Sequence, residues 1–159
     1  MGQKESEKII QLLSVLKLEF KLIDHVPVFT SQDAATIRNA PLSSGVKAIV
    51  LKTGSNNLVL ACVSGDKKID LKKLGALLGE KRIFLASPKE VLEATGCEVG
   101  SVAPFGNLFG LKTFFDKAIL ENPEVEFNIG LHTKSVHMKS SGLVKAVAPI
   151  IAGFAIDKK

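Results

Sequence analysis

The sequence predicts a single α/β (α+β) domain whose mixed sheet curls toward a barrel, with short helices on its flanks. Three observations predict it. Apolar residues switch between helical spacing and strict alternation along the chain, without regular strand–helix–strand order. The run "VKAIVLKT", "GSNN", "LVLACVSG" reads as two strands around a tight turn. The 159 residues, 46% hydrophobic and 23% charged, are enough for one proper core and contain no linker, repeat or low-complexity tract. Residues 1–159 are therefore read as one domain.

The elements follow in order. Residues 6 to 18 put Ile9, Leu12, Leu13 and Leu16 on one helical face, with Ser6 as the cap. "FKLIDH" alternates as a strand. "VFTSQDAATI" is a short helix in which Thr30 and Asp33 have capping-box spacing. After the hairpin, Asp70 caps "LKKLGALLG", and "RIFLA" is a strand. "SPKEVLEATG" is the most fully specified helix: Ser87 caps, Pro88 takes the first helical position, Glu90 completes the box and Gly96 ends it. Next comes "GCEVGSVAPFGN", three glycines and a proline in twelve residues. It is either an ordinary connection or a stiff turn that offers N–H groups to a ligand. "LKTFFD", "VEFNIG" and "SVHMK" are strands, "GLVKAVAP" a short helix, and "IIAGFAID" a single closing strand.

Composition narrows the function. No apolar run reaches the ~18 residues of a membrane span, and the start lacks the apolar block of a signal peptide. Gly2 and Ser6 fit a myristoylation pattern, read here as a chance match. Cys62 and Cys97 cannot build a disulfide framework, and Cys62 within "LVLACV" reads as a small buried thiol; a reducing, cytoplasmic setting fits. His25, His132 and His137 do not gather with cysteines or carboxylates at ligand spacing, so neither a metal nor a cofactor is expected. The net charge of +5 is carried almost wholly by lysine, since Arg38 and Arg82 are the only arginines. A lysine surface attracts phosphates but lacks the planar forks that read base edges. A merely solvated basic face explains the charge equally well.

Three places can carry chemistry. Lys47 stands at the entry of an otherwise apolar strand, where it either faces a partner inside or leaves the strand end for water. The 96–107 stretch has neither a dinucleotide nor a P-loop spacing, but successive N–H groups in such a turn can form an anion site or oxyanion hole. In "NIGLHTKSVHMK", Gly130 and His132 sit at a bend between strands, where His132 can exchange a proton or donate a hydrogen bond.

In this order, these stretches resemble the free-standing aminoacyl-tRNA editing domains of the YbaK/ProX type, whose fold also occurs as the insertion domain of bacterial prolyl-tRNA synthetases. The resemblance runs from "DHVPVFTSQDAA" through "GVKAIVLK" and "DLKKL" to "TGCEVGSVAPFG" and "NIGLHTKSVHM". It implies hydrolysis of the ester that joins an amino acid to the terminal ribose of a tRNA. It also implies a positioned water, with the ribose's own hydroxyl taking the place of a protein nucleophile. Lys47, Gly100 and Gly106 would be the catalytic positions: the lysine for position and charge, the turn for N–H groups facing the oxyanion. Phe29, Thr30, Pro104, Phe105, Gly130 and His132 would touch substrate. The implied partner is the acceptor end of a mischarged tRNA, with a synthetase as a further one and no membrane.

A second sieve of this kind removes small amino acids that a synthetase cannot reject, since one methylene is worth only ~1–3 kcal/mol. Ala, Cys, Ser and Pro are the candidate acyl groups. Two departures stand out: Ala48 follows the lysine where Thr or Ser is common, which bears on substrate choice, and Gly142 stands where an Asp is common, which bears on a helix cap. Two other functions are weighed: a hydrolase using Cys97 as nucleophile with His132 as base, and a non-catalytic module that binds tRNA or a synthetase.

Overall fold

The structure, a computed structural model, describes residues 2–158. Helix α1 (Gln3–Val15) buries Ile9 and Leu13 in the core. It starts three residues before the expected cap. Gly2 is the N-cap and its carbonyl already accepts the Ser6 N–H at 2.9 Å, so Ser6 has no orphan donor to cap and lies buried within the helix. Strand β1 (Phe20–Asp24) follows, then α2 (Ser31–Arg38). Thr30 Oγ1 accepts the Asp33 N–H at 3.0 Å. Only this half of the capping box forms, because Asp is a methylene shorter than the usual Glu.

A 3₁₀ turn (Leu42–Ser44) leads into β2 (Val46–Thr53) and β3 (Leu58–Ser64), the expected hairpin. Then come β4 (Lys67–Ile69), α3 (Leu71–Leu78), β5 (Ile83–Leu85) and α4 (Pro88–Thr95). Asp70 caps α3, and Ser87 and Glu90 cap α4 reciprocally at 3.1 and 2.9 Å. The second half holds α5 (Gly106–Phe109), β6 (Lys112–Asp116), a 3₁₀ turn (Lys117–Glu121), β7 (Glu124–Asn128), β8 (Lys134–Lys139) and α6 (Ser140–Val147). The expected closing strand is two: β9 (Ile150–Ala152) and β10 (Ala155–Asp157). The Asp116 carboxylate accepts the N–H groups of both Phe154 and Ala155, which breaks the ladder where Phe154 plunges into the core.

Strand order in the largest sheet is β5-β2-β3-β6-β9, with β2 antiparallel to both its neighbours and β6 parallel to β3 and β9. A second antiparallel sheet runs β1-β8-β7, and β10 pairs with β4. A parallel bridge between Gly45 and Glu126 joins the two larger sheets. The sheet does not close into a barrel. Beyond β3, strand β2 has that bridge at its head and β5 only along Leu51–Thr53, leaving a gap along its edge between them among the described residues. Side chains alternate across β3: Leu60 and Cys62 join the main core with Phe105, Phe115 and Phe127, while Val59, Ala61 and Val63 meet Leu74 and Phe154 on the other face.

Candidate active site

The gap at the edge of β2 opens into a cavity of about 270 Å³. Its rim is exposed and apolar: Phe29, Leu85 and Val99 keep 66, 68 and 56% of their surface in water. Buried Val46, Val50, Val91 and Val102 form its inner surface. One wall is polar, made by Arg38 from α2 and by Glu126 and Asn128 from β7.

Lys47 lines the cavity at the head of β2, half-buried. Alternation along the strand places it with Ile49 and Leu51 rather than with Ala48 and Val50, and it lies opposite Val63. Its neighbours of consequence are Lys158, whose positive charge lies close by, and Asp66 in the β3–β4 turn. Burial, then the contact with and charge of Lys158, lower its pKa to about 8 against a weaker pull from Asp66.

The 96–107 turn is tied down by hydrogen bonds. Cys97 N–H and Ser101 N–H are taken by Thr95 Oγ1 and the Glu98 carbonyl, and the Ser101 carbonyl accepts the Gly130 N–H at 2.9 Å. Gly100 lines the cavity with φ +89°, a region that suits glycine. A Cβ there would stand 3.3 Å from His132 Cε1 and 3.6 Å from the Phe29 carbonyl. Its carbonyl accepts from Asn128 Nδ2 at 2.9 Å, and no acceptor among the described residues takes its N–H.

Phe29 and Thr30 line the cavity as well, Thr30 with its hydroxyl engaged in capping α2. The remaining expected contacts stand behind this lining. His132 stacks on Phe29 with ring centroids 4.5 Å apart and donates through Nδ1 to the Val28 carbonyl at 3.0 Å. Gly130 faces Gly2 and the Cys97 sulfur. Pro104 and Phe105 are buried, and the Phe105 ring packs on Phe127 at 5.7 Å. Gly106 is required by packing: a Cβ would collide with Thr113 Oγ1 and sit 2.8 Å from the Leu111 carbonyl.

Arg38, Glu126 and Asn128 are cavity residues that sequence reasoning passed over. Arg38 Nη2 donates to Asn128 Oδ1 at 2.7 Å and Nε to Ser135 Oγ at 3.0 Å. Burial lowers the pKa of Arg38 to about 10, partly offset by the Glu126 charge, so it stays a cation at neutral pH. The one signal in the sequence was that Arg38 is one of only two arginines in a chain that otherwise uses lysine.

A nucleophilic Cys97 does not fit. The thiol has no exposure, its sulfur donates to the Thr95 carbonyl at 3.4 Å, and burial together with Glu5 pushes its pKa up to about 11. The His132 ring is engaged with Val28, Phe29 and, at 4.0 Å, Glu98. Among the described residues no helix is long and apolar enough to cross a membrane.

Comparison with known proteins follows the same line. The family model described as an aminoacyl-tRNA editing domain matches residues 25–146. A protein of Escherichia coli (strain K12), named Multifunctional Ser/Thr-tRNA deacylase ProXp-y, is 34% identical over 157 residues, covering 96% of this chain and 94% of its own. The Prolyl-tRNA editing protein ProX of Acetoanaerobium sticklandii is 26% identical over 152 residues, covering 92% and 93%. A solved structure described as a candidate trans-editing enzyme for prolyl tRNA synthetase superposes with a TM-score of 0.83 over 98% of both chains; at 24% identity this is a likeness of fold.

Proposed function

The chain belongs to the aminoacyl-tRNA editing domain family, and on that premise we propose that it hydrolyses the ester of a mischarged aminoacyl-tRNA. The observation that carries this reading is the cavity itself: about 270 Å³, bounded by the Gly100 turn and the head of β2, with no activated nucleophile in its wall. Such an ester is already reactive, so positioning and charge stabilisation suffice. Water adds to the acyl carbon, the carbon–oxygen bond to the ribose breaks, and the amino acid leaves as the ribose oxygen takes up a proton. The Gly100 N–H faces the developing oxyanion. Lys47, at the cavity's edge on the face of β2 shared with Ile49, contributes positive charge from the strand head, and Phe29 and Thr30 meet the incoming end of the substrate.

The acyl group is small. The name of the E. coli relative adds Thr to Ser among the candidates. The partner is the acceptor end of a tRNA in the cytoplasm, with a synthetase alongside as a further proposal. The whole chain acts as one unit, since α1, outside the matched residues, supplies Ile9 and Leu13 to the core. Deacylation assays across a panel of mischarged tRNAs test the reading. Turnover of at least one seryl-, threonyl-, alanyl-, cysteinyl- or prolyl-tRNA is expected; binding without turnover on all of them would make the domain an accessory module.

A further inference from the structure

We propose that the wall formed by Arg38 and Glu126 reads a hydroxyl on the side chain of the esterified amino acid, making seryl and threonyl esters preferred over alanyl esters. The inference rests on the deacylase reading above and deepens it. Glu126 lines the cavity with only 4% of its surface exposed. Oε1 lies 3.2 Å from His137 Nδ1, while Oε2 is buried and has no hydrogen-bond partner among the described residues. A buried carboxylate oxygen left unpaired is costly, so its retention beside a cavity calls for a donor that arrives from outside.

Arg38 presents the complementary half. Its Nε and Nη2 are committed to Ser135 and Asn128, and Nη1 points past Gly45, 3.7 Å from where a Cβ would stand. Gly45 is the residue bridged to Glu126, so the guanidinium and the carboxylate share one wall. They form no ion pair among the described residues, although the Glu126 charge is near enough to act on the guanidinium.

A hydroxyl is one group that donates and accepts at once. It can donate a hydrogen bond to Glu126 Oε2 and accept one from Arg38 Nη1. The α-ammonium of the substrate can only donate, a thiol does so weakly, and the methyl of alanine leaves both wall groups unmet. Sites built to bond a hydroxyl reject the analogue that lacks it far more strongly than apolar pockets reject an extra methylene.

The test compares seryl and alanyl esters on one tRNA body, for the natural protein, Glu126→Met and Glu126→Gln. It runs beside binding of 3′-seryl-amino- and 3′-alanyl-amino-3′-deoxyadenosine. A seryl preference of ~10²-fold or more is expected, falling to within ~5-fold in Glu126→Met and retained in part by Gln, which keeps an acceptor oxygen. Should Glu126→Met melt far below the natural protein, Arg38→Met supplies the same comparison. Equal handling of both esters by the natural protein overturns the proposal. So does an equal loss on both in the variants, which would assign Glu126 to the ammonium common to all substrates. The binding arm stands apart from turnover: a Glu126-dependent preference for the seryl amide without hydrolysis of any ester keeps this inference and retires the deacylase reading.

Discussion

Asn128 holds Gly100. Its Nδ2 donates to the Gly100 carbonyl at 2.9 Å while its Oδ1 accepts from Arg38 at 2.7 Å, so one side chain on β7 fixes both the turn and the cation of the facing wall. Asn128→Ala should lower kcat/KM by ~10-fold or more through misplacement of the turn, with a stability loss of about 1 kcal/mol for the missing hydrogen bonds. Steady-state deacylation and thermal melting measure the two. Asn128→Asp should fare no better, because a carboxylate keeps Arg38 but cannot donate to the Gly100 carbonyl. Unchanged kcat/KM in both variants would mean that the turn holds its own shape.

Gly100→Ala tests the turn directly. At φ +89° with His132 Cε1 3.3 Å from the added methyl, the backbone strain is roughly 1–2 kcal/mol. Activity should fall further than stability, by ~10²-fold, as the N–H facing the oxyanion tilts away. A melting point that collapses along with activity would make the turn a folding element.

Lys47 gives a pH signature. Its pKa, lowered from 10.5 to about 8, lies below that of the unfolded chain. Between those values the unfolded chain binds more protons, so the penalty of holding this ammonium is fully present below pH 8 and fades as pH rises through that window. If the ammonium is the working form, kcat/KM should decline as pH passes about 8. Lys158→Ala, by removing a neighbouring positive charge, should move that decline to higher pH. Lys47→Ala should cost ~10²-fold in turnover at pH 7 without loss of stability, and Lys47→Arg should rescue poorly. A pH–rate profile in which Lys158→Ala leaves the alkaline limb unmoved would separate Lys158 from the site.

Cys97→Ala should keep most of the activity, because the thiol points to Thr95 and Gly130 with no exposure to the cavity. The stability cost of the smaller side chain is about 1 kcal/mol. Loss of several hundredfold in deacylation, with the circular dichroism spectrum intact, would restore the cysteine as a nucleophile.

What was legible in the sequence is what short range decides. Helix α4 carries its cap, proline, box and terminal glycine within ten residues, and the β2–β3 hairpin declares itself by alternation around "GSNN". The polar wall was not legible, because Arg38 reads as an ordinary last-turn cation of α2 until the chain returns ninety residues later with Asn128. Gly106 stood out in the sequence as a turn glycine, and the fold adds a constraint the sequence did not show: Thr113, which only the packed structure brings near. The expected curl toward a barrel stops short of closure for a comparable cause. Curl is a property of single strands, whereas closure depends on which edges find neighbours, and β2 lacks one along the stretch that became the cavity.

The pairing of β10 with β4 sets an order on biosynthesis. Strand β4 ends at Ile69 and its partner begins only at Ala155, with Lys158 just beyond, its N–H on the Asp66 carbonyl at 3.4 Å. On a nascent chain the β2–β3 hairpin and the Gly100 turn can therefore form before the segment that sits beside Lys47 is made. Local segments can form during translation, while ladders between distant segments wait for their second strand. A growing chain on the ribosome, surrounded by correctly charged tRNAs, thus holds an unfinished site until residues 155–158 have emerged.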